Sequence, residues 1–329
     1  MGITQNRVER HISEWEAKLS ADGFRPYRVR WPSRLFHHSV IENAASILSQ
    51  GQLLSRIDSG GHRKVDVAGT AVIQNRDRAH QFARLYFGPR TPTQYRVEGI
   101  RKPEAYWNGD RSAHAPTLAM FVFDARKILI QKGVRFSNGN MQSDAAQDGD
   151  NDAFFDKIDF AKVYHEGWHD RDASITYSRC AEVLVPSPRP IDDCLAAVVC
   201  RSVAERLFLL DEMGPTAAKR WSRFVHVSDD LNVFEKRYTF VDTVSIQTDG
   251  VLFKLHPAGP PVQVRVAVLD VAGHVIKSAE REDTPPAAPK GGSWHLRTQL
   301  SDGCYRVRIT IENCRAFDAE LFVGDGLPF

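Results

Sequence analysis

Chemistry needs charged or hydrogen-bonding groups held where burial makes them costly, and several short segments of this 329-residue chain have that character. In Arg179-Cys180-Ala181-Glu182-Val183-Leu184-Val185-Pro186, Glu182 stands at the head of an apolar strand. A carboxylate there is unfavourable unless it is paired or used. In Leu35-Phe36-His37-His38-Ser39-Val40-Ile41, alternation carries His37 and Ser39 to one face, and a helical pattern begins immediately after. A helix N-terminus in that place offers N–H groups and a positive dipole end to a diphosphate or an amide carbonyl. Residues 85–95, LYFGPRTPTQY, run from an aromatic strand into a loop with two prolines. The prolines restrict the backbone, so Arg90 and its neighbours are presented with little entropy loss to a base or a phosphate. Trp168-His169-Asp170-Arg171-Asp172 sets an aromatic face beside a cation, which suits stacking on an unpaired base. Each segment also has a plainer alternative. Ser39 could only cap the helix, His37 could be a hydrogen-bonded core residue, the proline loop a stiff turn, and the tryptophan an anchor.

The elements that must hold these residues follow from periodicity. Val8, Ile12, Trp15 and Leu19 share one helical face, so residues 5–20 form a helix, and an arginine-rich extended arm follows over 24–36. Residues 41–48 form a second helix stopped by Gly51, and 70–82 a third. Strands are expected at 83–87, 118–124, 127–130 and 181–186. Between them, 138–152 and 164–179 read as surface loops of the long kind that often carries function. From about Val233 the texture changes to seven β-rich stretches separated by turns rich in proline and glycine, the pattern of an immunoglobulin-like sandwich. The expected organisation is an N-terminal helix and extended arm over 1–33, an α+β domain over 34–230, and an all-β sandwich over 231–329.

Composition excludes little beyond disorder. With 42% hydrophobic and 26% charged residues the chain is an ordinary folded one, too long for a single small core. A net charge of +2 neither announces nor excludes a nucleic-acid partner, because a local groove can be basic on a nearly neutral protein. No apolar run approaches the ~20 residues of a membrane helix, and the charges in residues 1–19 leave no signal-peptide core there. No membrane partner is expected. Five cysteines without a C-x-x-C pair argue against a zinc cage and for free thiols in a reducing cytoplasm. Cys304 and Cys314 are the pair that neighbouring strands could bring together.

Taken in order, three segments resemble the DarT family of ADP-ribosyltransferase toxins, which act on thymidine in single-stranded DNA. Residues 35–56, LFHHSVIENAASILSQGQLLSR, match the family's L-Y-H-I-T-H-I-x-N-L-x-x-I-L-x-x-G-x-L. LYFGPRTPTQY matches F-Y-F-x-P-R-S-P-M-L-Y, and RCAEVLV at 179–185 matches R-Q-A-E-F-L-V. The resemblance implies an ADP-ribosyltransferase domain of small twisted mixed sheets with flanking helices, NAD as co-substrate and no metal. It implies that His37, His38, Ser39, Ser46 and Leu54 contact NAD, with Ser39 supplying the hydroxyl of the family's threonine. Tyr86 would flank the nicotinamide, Glu182 would be the essential glutamate, and Arg76 the catalytic arginine that also touches NAD, with Arg78 as its rival. Arg90, Thr91, Pro92, Thr93, Gln94 and Tyr95, together with Gly167, Trp168, His169, Asp170 and Thr176, would face the nucleic acid. Thr93-Gln94 replaces the family's Met-Leu, and Asn140 stands where a histidine is usual. The function implied is the toxin of a toxin–antitoxin or phage-defence system, countered by a macrodomain ADP-ribosylglycohydrolase or a binding antitoxin. The alternatives are an RNA-directed transferase, one that modifies another DNA base, or a non-catalytic module that senses NAD or binds nucleic acid.

Overall fold

The computed structural model describes residues 3–62, 65, 79–106, 109–110, 113–141, 143–167 and 172–324. Its first half alternates short helices and strands: α1 (Gln5–Asp22), β1 (Arg34–Ser39), α2 (Ile41–Gln50), β2 (Gln52–Leu53), β3 (Phe82–Tyr86), α3 (Pro92–Val97), β4 (Ala119–Asp124), α4 (Ala125–Leu129), β5 (Arg135–Ser137) and β6 (Asp148–Gly149). Then come α5 (Asp152–Phe155), α6 (Phe160–Val163), α7 (Ala173–Ser178), β7 (Glu182–Pro186), β8 (Arg189–Pro190), β9 (Leu195–Cys200), α8 (Val203–Glu212), α9 (Gly214–Trp221) and β10 (Val225–Val227).

One eight-stranded sheet organises this half, in the order β10-β9-β4-β1-β3-β7-β5-β6, with β10 and β9 parallel and the rest antiparallel. Beside it, β2 and β8 make a two-stranded ribbon. Mixed pairing is as expected, but a single large sheet replaces the small sheets anticipated. The central strands β1, β3 and β7 lie side by side, so the three motif segments meet although they are far apart in the chain.

Four local expectations change. Residues 127–130 are not a strand: Asp124 caps α4 by accepting the Arg126 N–H at 2.9 Å, and the chain turns helical directly after β4. Ala125, Ile128 and Leu129 are all buried, the i, i+3, i+4 stripe of a helix. The arm at 24–36 is not continuously extended, since Pro26–Arg30 forms a 3₁₀ turn before β1. The 164–179 stretch contains α7, capped by Asp172, whose carboxylate accepts the Ser174 N–H at 2.7 Å. Of the helix expected at 70–82, residues 70–78 lie outside the described residues. Ala79–Gln81 is a 3₁₀ turn, and Phe82 already belongs to β3.

The C-terminal region holds seven strands: β11 (Val241–Gln247), β12 (Gly250–Leu255), β13 (Val262–Leu269), β14 (Val275–Thr284), β15 (Trp294–Arg297), β16 (Gly303–Ile311) and β17 (Cys314–Val323). They form a sheet of three, β11-β12-β15, and a sheet of four, β14-β13-β16-β17. Phe253 and Leu296 of the first sheet line one cavity with Val264 and Val266 of the second, so the two sheets face each other. Cys304 pairs with Phe322 and Cys314 with Ile311, at opposite ends of one hairpin, and all five thiols are free. These sheets are docked firmly on the first half. Helix α8 packs against β11 and β17, and Ser202 Oγ donates to Val241 O at 2.7 Å. A single hydrophobic cluster runs from Ile3 to Val323.

Candidate active site

Strands β1, β3 and β7 place the polar groups of the site. In β3, alternation puts Phe82, Arg84 and Tyr86 on one face, and Tyr86 is directly opposite Glu182 of β7. Glu182 is only 1% exposed. Arg84 grips it with two parallel bonds, Nε donating to Oε2 at 2.6 Å and Nη2 to Oε1, the fork geometry that fixes a carboxylate's plane. The Glu182 N–H donates to Ser137 Oγ at 2.8 Å, and Ser137 in turn donates to Gly139 O at 2.7 Å. Burial lowers the Arg84 pKa, but the Glu182 charge and hydrogen bonds outweigh it and hold the guanidinium well above its usual value. Burial first, and then the Glu182 charge, push up the Tyr86 phenol, and raise the Cys180 thiol to about 11. The surroundings of the carboxylate are therefore neutral at physiological pH apart from Arg84.

His38, from β1, stacks on Tyr86 with ring centroids 5.8 Å apart and planes 11° apart. Burial, reinforced by His37 and Arg84, lowers its pKa to about 3. Burial also lowers His37, partly offset by the bond between its Nδ1 and the Arg84 carbonyl at 2.9 Å. Both imidazoles are neutral at pH 7 and can hydrogen-bond a ligand without adding charge. A cavity of about 250 Å³ opens beside them, lined by His37, His38 and Ser39 together with Ser46 and Leu54. Ser39 does not cap α2; Val40 occupies that position and supplies no side-chain bond. Ser46 donates to His62 O at 2.9 Å, and Asn43 pins Val65 with a reciprocal amide pair at 2.6 and 3.0 Å. Arg84 lines the same cavity, whereas Tyr86 and Glu182 do not. The arginine is the residue that joins the cavity to the carboxylate.

The proline loop divides by role. Thr91 is buried and caps α3, accepting the Gln94 N–H at 3.2 Å, and Pro92 fills the first turn. Thr93 Oγ1 lies 3.9 Å from the Sγ of Cys180, two residues before Glu182. Gln94 is 0% exposed. Its Oε1 accepts the Arg90 N–H at 2.9 Å, and its Nε2 donates to Glu98 Oε2 and to Val233 O, both at 2.8 Å. That makes Gln94 a strut between α3 and the C-terminal region, in place of the acceptor contact anticipated from the motif. Tyr95 is 43% exposed. Arg90 has a left-handed backbone (φ 53°) and pairs with Glu166. Gly167 (φ 110°) is half-buried, as is Thr176 on α7. Arg76, Arg78, Trp168, His169, Asp170 and Arg171 lie outside the described residues.

Residues 36–221, more than half of the chain, match the family model described as DarT, ssDNA thymidine ADP-ribosyltransferase. The chain belongs to the DarT family. It is accordingly an NAD-dependent ADP-ribosyltransferase directed at single-stranded DNA. Among solved structures it is similar to Thermus sp. 2.9 DarT in complex with ADP-ribosylated ssDNA (16% identity, 61% of this chain and 96% of that one, TM-score 0.48) and in complex with NAD+ (17%, 61% and 97%, 0.45). It is also similar to Thermosipho africanus DarTG in complex with ADP-ribose, at 18% identity over 68% of this chain and 55% of that one, TM-score 0.44. No curated protein sequence matches. The family assignment rests on the sequence model. Among the described residues no helix is long and apolar enough to cross a membrane.

Arg84 is the residue of this candidate site that the motifs do not announce. Its signal was present in Phe82-Ala83-Arg84-Leu85-Tyr86, where period 2 places the arginine on Tyr86's face. A lone arginine in a short strand usually faces water, and nothing local indicates a partner 98 residues away.

Proposed function

We propose that Glu182 is the catalytic carboxylate of this transferase and that Arg84 fixes its orientation. The observation that carries this is a fully buried glutamate, gripped in bidentate fashion by an arginine that also lines the cavity beside β1 and α2. NAD would lie in that cavity. His37, His38 and Ser39 meet its nicotinamide riboside end, Ser46 and Leu54 its remainder, and Tyr86 flanks the ring. The bond between ribose C1 and the nicotinamide nitrogen breaks, and its electron pair leaves with nicotinamide. Glu182 accepts hydrogen bonds from the ribose hydroxyls and stabilises the positive charge developing on the sugar. A base nitrogen of the acceptor strand then supplies the lone pair for the new bond to C1, and its proton passes to water. No arginine can take that proton, since guanidinium is not deprotonated in proteins. Arg76 keeps the role its motif implies, as a clamp on the diphosphate or the acceptor base.

In this reading Arg90, Thr93, Tyr95 and the 167–170 segment face the acceptor, and the enzyme acts in the cytoplasm as a toxin opposed by a de-modifying or binding antitoxin. Family membership alone supports the toxin role. Thr93 favours a second reading of the acceptor. A hydroxyl next to Cys180, two residues before the carboxylate, where the family motif has methionine, suits a more polar base edge, in DNA or in RNA. The C-terminal residues 231–329 form an immunoglobulin-like unit in this proposal. Their first, second and fifth strands make one sheet and the rest the other, so the fourth has changed sheets relative to a constant-type domain.

Incubating wild type and Glu182→Gln with NAD and matched single-stranded DNA, duplex DNA and RNA tests the assignment. The wild type should modify single-stranded DNA, and the variant should be about 10²–10³-fold slower, the loss typical of one charge-stabilising group. Adducts on RNA alone would establish the second acceptor reading. Equal NAD turnover by both proteins, with no adduct on any strand, would overturn the catalytic assignment.

A further inference from the structure

We propose that a band of arginines and aromatic rings that begins and ends outside the family-matched residues, from Phe24 and Arg25 in the N-terminal arm to Arg237 before β11, binds the acceptor strand on either side of the target base. The inference rests on the proposed transfer to a single-stranded nucleic acid and adds the surface that holds it.

The band is continuous with the site. Phe24 is 47% exposed and lies beside Gly167, 3.6 Å from where a Cβ on that glycine would stand. The Arg25 guanidinium lies over the Phe24 ring at 5.0 Å and reaches Glu166 Oε1 at 3.4 Å. Arg90 shares that same carboxylate oxygen, and the Arg90 carbonyl accepts a bond from Arg179 Nη2 at 2.7 Å. Glu235 lies within the fields of Arg90, Arg179 and Arg237. The band ends where the Arg237 guanidinium sits 3.4 Å over the exposed Tyr95 ring and donates to Tyr95 O at 2.6 Å. Tyr95 is two residues along α3 from Thr93, whose Oγ1 is 3.9 Å from the Sγ of Cys180, two residues before Glu182.

Two features fit a single strand. Each end is an exposed aromatic ring stacked with an arginine, a platform for base faces that does not depend on sequence. Between the ends, and among the described residues, Arg25, Arg90, Arg179 and Arg237 stand against Glu166 and Glu235, an excess of two positive charges on a protein whose net charge is also only +2. Burial, with Glu98 nearby, raises Glu235 to about 7 against the pull of the arginines, so near neutral pH part of its opposing charge is also lost. Glu98 is itself occupied by Gln94 and by the backbone N–H groups of Glu235 and Lys236. The Nε atoms of Arg90 and Arg237 have no hydrogen-bond partner among the described residues. A strand along this band would leave phosphates near arginines and bases near the rings, with the target base between them at Thr93.

Fluorescence anisotropy with a labelled oligothymidylate, read over a series of salt concentrations, tests the band without requiring catalysis. Phe24→Ala and Arg237→Gln should each weaken binding about tenfold. Arg237→Gln should also make the slope of log affinity against log salt shallower by about 0.7, the value of one lost phosphate contact on a single strand. Arg237→Lys should restore the slope and only part of the affinity. Unchanged melting temperatures certify that the variants are folded. Wild-type affinity and slope in all three would overturn the band. If the wild type modifies a strand while the variants bind it normally, the band fails and the transfer reading stands. If the wild type binds the strand through the band yet no adduct forms on any strand, the transfer reading fails instead.

Discussion

Two of the buried arginine–glutamate pairs among the described residues differ in what surrounds them. Arg201 and Glu205 are both almost wholly buried at the joint between the transferase fold and the C-terminal sheets. Every group there is used. Arg201 Nε donates to Glu205 Oε2 at 2.9 Å, Nη2 donates to Pro116 O at 2.7 Å, and the guanidinium lies 4.7 Å from the Phe240 ring centroid. Glu98, 3.9 Å from Arg201, takes the N–H groups of Glu235 and Lys236 and the Gln94 amide. Arg84 and Glu182 have the same chemistry, but the arginine is 27% exposed to an open cavity, and Tyr86, Cys180 and His38 crowd the pair with perturbed acidities. A buried ion pair is thus no sign of a site by itself. One that borders unfilled space, among groups whose charge states it distorts, has free energy to spend on a ligand.

Substitutions should separate the two pairs. Glu205→Leu strands Arg201 in the interior and should lower stability by about 3–5 kcal/mol, while the transferase rate per folded molecule is retained; denaturant midpoints paired with initial rates would show this. Loss of activity without loss of stability would erase the distinction. Glu182→Gln should do the reverse, raising the barrier by about 2.7–4 kcal/mol and leaving the melting temperature near wild type, since its partner can still reach water through the cavity. Gln94→Leu restores the apolar character of the family motif but leaves the Arg90 N–H and Val233 O without a partner and takes one donor from Glu98, so urea midpoints should report a loss of about 1–3 kcal/mol.

Acidification should weaken both regions, less steeply. The folded protein holds His38 at about 3 and, at the joint, burial holds His114 at about 4 against its bond to Gly99 O. An unfolded histidine titrates near 6.5. Between pH 6.5 and 4 the unfolded chain therefore binds protons that the folded chain refuses, and stability falls as pH drops by up to about 1.4 kcal/mol per pH unit for each such group. Above pH 7 these histidines contribute no slope. His114→Gln should flatten the acid limb of a plot of melting temperature against pH; an unaltered limb would contradict the assignment.

The motif segments were legible because local rules govern them. The alternation of 35–39 followed by a helix stopped at Gly51 fixes β1 and α2, and an apolar run after a glutamate marks β7. What the sequence hid depends on distant partners. Arg84 looked solvent-facing because Glu182 is remote, and Gln94 looked like an acceptor contact because Val233, its carbonyl partner, is 139 residues away. Residues 127–130 misled for a smaller reason. A short apolar run admits strand or helix, and the decisive signal was the capping Asp124 just before it.

The central claim is that Glu182 drives transfer of ADP-ribose from NAD to a base in a single strand. Intact-mass analysis of a single-stranded DNA oligonucleotide after incubation with NAD and either wild type or Glu182→Gln tests it most directly. The account predicts a strand heavier by one ADP-ribosyl group with the wild type and an unmodified strand with the variant over the same time. Equal modification by both proteins would contradict it.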